Sequence, residues 1–115
     1  MNSTIDLELL LEDIGTVRDA VTREAGMNVP YCESISLSYY PDIVQFAVDP
    51  ESVDKHEVLD TLRFYTENGL FPSTLLHASL EEFSSYLAEH GDKVFRLIRS
   101  EIESYYEDWT GEKLH

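Results

Sequence analysis

Positive charge is scarce in this chain: 8 lysines and arginines stand against 23 aspartates and glutamates, for a net charge of -15 over 115 residues. A surface of that sign repels phosphate, which excludes direct binding to DNA, RNA or anionic lipid by ordinary electrostatics. Cysteine occurs once, as Cys32, so no internal disulfide forms and a reducing compartment, the cytoplasm, is expected. Apolar runs are short. None approaches the ~20 residues of a membrane span, and no basic-then-apolar leader opens the sequence. Glycine is sparse, with 5 residues, and none falls in a phosphate-cradling loop, a GxSxG elbow or a calcium loop. The 4 histidines, His56, His77, His90 and His115, show no metal-ligand spacing, and Cys32 has no partner cysteine. No catalytic residue, metal or cofactor is assigned, and a non-enzymatic role is expected.

What is present is a foldable chain, 43% hydrophobic and 27% charged, of a size for one domain spanning residues 1–115. The acidity is not held in a tail. Residues 1–50 carry 2 bases and 9 acids, and residues 51–115 carry 6 and 14. A folded monomer of this mass exposes roughly 6,400 Å², one uncompensated charge per ~430 Å². Self-repulsion at that density opposes compactness.

Periodicity predicts a long first helix from Ser3 or Thr4 to Ala25, stopped by Gly26. Leu7, Leu10, Ile14, Val17 and Val21 form its apolar stripe, widened by Leu11, while Glu8, Glu12 and Asp19 fall on the opposite side. Gly15 is a place for a bend, and the stripe is a candidate seam for a homodimeric coiled coil. Ser34–Tyr39 then alternates with period two, Tyr40-Pro41-Asp42 supplies a turn, and Ile43–Val48 reads as a return strand. A helix at 41–48 is the rival reading of that segment. Asp54 and Glu57 make a capping box, stapled by Val53 and Val58, for a helix closed at Asn68-Gly69 with Leu70 placed for a Schellman end. Ser79 and Glu82 make a second box for a helix ending at His90-Gly91, and Asp92 caps a last helix over 93–109. The expected fold is α+β and mainly helical: a long N-terminal helix, a two-stranded antiparallel hairpin, then three helices, with all-α as the alternative. Leu37, Phe46, Leu62, Phe83, Leu87, Ile98, Ile102 and Tyr105 join the first stripe as the expected core.

The last helix carries the most suggestive surface. Lys93, Arg96 and Arg99 precede Glu101, Glu103, Glu107 and Asp108, an order that opposes the helix dipole. Glu103 and Glu107 are a like-charge pair at i,i+4. These acids border Tyr105, Tyr106 and Trp109, and aromatic anchors with a charged rim are the chemistry of binding hot spots. The candidate partner-binding residues are therefore Glu101, Glu103, Tyr106, Glu107 and Asp108, with Glu8, Glu12 and Asp19 as a second acidic face.

The expected partner is a basic protein whose groove ordinarily holds nucleic acid, with no direct nucleic-acid or membrane contact by this chain. In size, charge and helix content the chain is similar to phage-encoded anti-restriction and anti-CRISPR inhibitors that mimic DNA. That resemblance is compositional and implies an inhibitor acting by occupancy. Two alternatives share the acidity: an immunity protein or antitoxin against a basic toxin, and a domain from a salt-loving organism whose carboxylates maintain solubility.

Overall fold

The computed structural model describes residues 5–114. Among these residues there are four helices, α1 (Leu7–Ala25), α2 (Tyr31–Val48), α3 (Lys55–Glu67) and α4 (Leu80–Thr110), with single turns of 3-10 helix at Pro50–Ser52 and Ser73–Leu75. Among the described residues there is no strand, so the expected hairpin is replaced by α2 and the fold is all-α.

Burial explains the replacement. As a helix, 31–48 buries Leu37, Tyr40, Ile43, Val44 and Phe46 together, at intervals of three and four residues that place them along one side. A hairpin would have left Tyr40 at an exposed turn; in α2 it is only 3% exposed. The alternating serines misled because Ser36 is itself buried, so polarity did not mark the solvent side. The period is blurred from both sides, because α2 buries Ser36 and leaves Tyr31, Tyr39 and Val48 exposed.

This helix holds a proline in its interior. Pro41 has no N–H to offer the carbonyl four residues back, that of Leu37, and tertiary burial overrides the loss. Pro41→Ala is expected to stabilise the fold by about 1 kcal/mol through the recovered bond, a rise of ~4 °C in a circular dichroism melt. A lower melting temperature would show that the half-buried pyrrolidine ring contributes more by packing than the missing bond costs.

The termini of the other helices follow local chemistry. Ser3 and Thr4, the expected start of the first helix, lie outside the described residues; the cap is Asp6, whose carboxylate accepts from the Glu8 and Leu9 amides. α1 runs unbroken through Gly15. Its stripe residues Leu10, Ile14, Val17 and Val21 are fully buried within one chain, which leaves no coiled-coil seam there. Asp54 caps α3 by accepting from His56 and Glu57, while the reciprocal box forms at Ser79 and Glu82. The Schellman end of α3 is present: Gly69 sits at φ 89°, Leu70 donates to the Tyr65 carbonyl and Gly69 to that of Thr66.

The expected break at Gly91 is absent, because α4 is one helix of 31 residues. Gly91 is buried, and a Cβ there would meet the Phe95 ring at 2.9 Å. It is glycine for a close side-chain approach and not for a stop, and Asp92 is a mid-helix residue. With the helix starting at Leu80, Lys93, Arg96 and Arg99 lie near its middle, so they do not oppose the dipole; Glu81 and Glu82 favour its start. The conflict survives at the C-terminal end, where the last turn holds no base. The core draws on all four helices, with Leu10, Ile14, Ile43, Val44, Leu62, Phe83, Ile98 and Ile102 fully buried.

Candidate partner-binding groove

α2 and α3 diverge to leave an open groove of about 640 Å³. From α2 it is lined by Tyr31, Ile35, Tyr39 and Asp42, and from α3 by Glu57, Asp60, Thr61 and Phe64. Each set follows helical spacing, four-four-three on α2 and three-one-three on α3, so one stripe of each helix faces the other. Tyr31 is 79% exposed, Tyr39 45% and Phe64 43%. Rings this open on a small chain need an account. The groove's charged groups are three carboxylates, Asp42, Glu57 and Asp60, and no base is among its lining residues.

A second depression, about 540 Å³, continues from the first toward α4 and shares Tyr31, Ile35 and Phe64 with it. A run of rings joins the two: Phe64 stands edge-on to Tyr65 at 5.1 Å, and Tyr65 lies 5.2 Å from Tyr40. Tyr40 donates its hydroxyl to Glu101, and Trp109 Nε1 donates to Glu33. These two bonds fix α2 antiparallel to α4 and tie the wall of the second depression to the core.

The candidate residues from sequence are scattered by this arrangement. Glu101 lines the second depression. Glu103 pairs with Arg99 at 3.4 Å, and the same guanidinium reaches buried Asp13 at 3.8 Å, which directs that part of α4 toward α1. Tyr106 packs against the core, as do Tyr105 and Trp109, so none of the three is a free anchor. Glu107 and Asp108 are exposed at the end of α4, and Glu8, Glu12 and Asp19 are exposed on α1. Neither set lines the groove. Sequence reasoning missed Tyr31, Tyr39, Asp42, Asp60 and Phe64. Asp60 and Phe64 lie on the helix that was expected there, but Tyr31, Tyr39 and Asp42 join them only when 31–48 is read as helix.

Of the remaining chemistry-bearing residues, Cys32 also lines the second depression. Cys32 is exposed and free. His56, His77 and His90 are exposed, with His90 beside the Tyr86 ring at 5.2 Å. No cluster of three metal-ligating side chains occurs among the described residues, and no helix is long and apolar enough to cross a membrane.

Burial raises the pKa of Asp42 and of Glu101 above their ordinary values of 3.8 and 4.5. Such a carboxyl binds its proton more tightly folded than unfolded. Its contribution to stability is fully present below the unfolded pKa and is lost as pH rises through the folded one. The melting temperature should therefore rise as pH is lowered from 7 toward the upper end of that window, with relief of like-charge repulsion acting the same way. A steady fall over the same range would show that carboxylates stabilised by caps and ion pairs outweigh these two.

No family model, curated protein or solved structure matches the chain.

Proposed function

We propose that this chain is a non-enzymatic interaction protein that occupies a basic surface of a partner protein, of the kind that otherwise holds nucleic acid. The observation that supports this reading is the α2–α3 groove, where three exposed rings sit among three carboxylates with no lining base. Lysine and arginine side chains meet two favourable environments there: carboxylates for charge, and ring faces for cation–π contact. The net charge of -15 adds a field that draws a basic protein in before contact. Inhibition follows from occupancy, since a basic surface covered by this chain is closed to phosphate.

A carboxylate coat for solubility in brine accounts less well for the groove. Hydration alone gives no reason to hold Tyr31, Tyr39 and Phe64 open to water beside the acids.

The test is capture from host lysate at low salt, with the wild-type chain compared against a variant carrying Asp42→Lys, Glu57→Lys and Asp60→Lys. The expected result is a basic protein held by the wild type, released by added salt, and displaced by its own nucleic acid. Capture that ignores the substitutions, or a wild-type chain that unfolds without molar salt, would overturn the reading.

A further inference from the structure

The second depression, where α2, α3 and α4 meet, differs in character from the open groove. Its walls are rings (Tyr31, Tyr40, Phe64, Tyr65 and Tyr105), and its charged side chain is Glu101. No lysine, arginine or histidine is among the residues that line it. The nearest cation along α4, Arg99, is directed to Asp13 and Glu103. Glu101 is thus a carboxylate facing aromatic walls with a neutral phenol, Tyr40, as its bonded neighbour.

A second, independent feature lies deeper. Tyr65 is 5% exposed, and its buried hydroxyl completes no hydrogen bond of normal geometry. Buried hydroxyls are ordinarily satisfied. Burial raises the Tyr65 and Tyr105 pKa values, with Ser36 close enough to both phenols to oppose the rise. The depression therefore offers the Glu101 oxygens and π faces together.

We infer that this depression is a receptor for one arginine side chain of the basic partner, its guanidinium laid against the rings and bonded to Glu101. The inference rests on the proposed function and names the group that enters. Arginine fits better than lysine for two reasons. A planar guanidinium stacks on a ring while its N–H groups still point outward in the plane, whereas an ammonium is a compact point charge. It is also more weakly hydrated, so it enters a half-buried site at lower cost.

The experiment uses hexa-arginine and hexa-lysine peptides, titrated calorimetrically into the full chain at low ionic strength. Ethylguanidinium titrations followed by NMR at the tyrosine ring signals accompany them. Hexa-arginine should bind at least tenfold more tightly than hexa-lysine. Glu101→Gln, which keeps an oxygen to accept from Tyr40, should abolish most of that preference without lowering the melting temperature. Tyr31→Ala, at a ring already open to solvent, should weaken hexa-arginine several-fold and keeps the test readable if the Glu101 variant unfolds. Ethylguanidinium should shift the Tyr65 and Tyr105 signals in the wild type. Equal affinities for the two peptides, or an unaltered preference in both variants, would overturn the receptor. If hexa-arginine still weakens on Asp42→Lys with Asp60→Lys in that case, the groove reading stands without it. If neither peptide binds the wild-type chain, both readings fall.

Discussion

Replacing Asp42, Glu57 and Asp60 together with lysine should lower partner affinity by a factor on the order of 10²–10³. The size follows from juxtaposition: each reversal removes an attraction and sets a like charge against a basic surface at contact distance, where salt screens least. Far-UV circular dichroism should be unchanged, because all three positions have exposed side chains on helix surfaces. The comparison faces give the result its meaning. Reversing Glu8, Glu12 and Asp19 alters the same formal charge but lies outside the groove, and the loss there should stay below about tenfold because exposed charges beyond a Debye length are largely screened. The same holds for Glu103, Glu107 and Asp108. Should either of those sets produce the larger loss, the binding face is α1 or the end of α4, and the groove is a structural accident.

Arg99→Leu should destabilise the fold by about 2–3 kcal/mol, somewhat under the usual cost of breaking a buried pair because the arginine keeps partial contact with water. Asp13 is 4% exposed and lies 3.8 Å from the Arg99 guanidinium. The substitution takes one positive charge away from a buried carboxylate in the α1–α4 contact and sets leucine in its place. The double variant Asp13→Leu with Arg99→Leu should recover most of the loss, as apolar pairs often replace buried ion pairs without penalty. Urea unfolding of the two single variants and the double variant measures the coupling. A single-variant loss under about 0.5 kcal/mol would show that the pair behaves as a solvated one.

Local chemistry made much of this architecture legible. The Ser79–Glu82 box, the Asn68-Gly69-Leu70 end and the first apolar stripe are all present, because caps and periodic faces depend on neighbours only a few residues away. Two features resisted for opposite reasons. At Gly91 a residue that favours helix ends is used for side-chain clearance under Phe95, a demand set by packing. At Tyr40-Pro41-Asp42 a strong turn signal is overruled by burial on three sides. That second misreading also concealed the site. Tyr31, Ile35, Tyr39 and Asp42 share one stripe in a helix; in the hairpin reading Tyr31 precedes the strand and Asp42 lies in the turn, so the four make no common face. The acidity drew attention to the acid-rich end of α4, whose rings prove to be packed inward.

The open rings of the α2–α3 groove divide the kinetics of any complex into two separately adjustable parts. Carboxylates on every face act at a distance and set how often a cationic partner arrives, so ionic strength governs the encounter rate. Tyr31, Tyr39 and Phe64 act only after contact and scarcely notice dissolved ions. They set how long the partner stays. A chain built this way finds its target quickly in dilute electrolyte and more slowly in concentrated electrolyte, and its rings lengthen each stay in either medium.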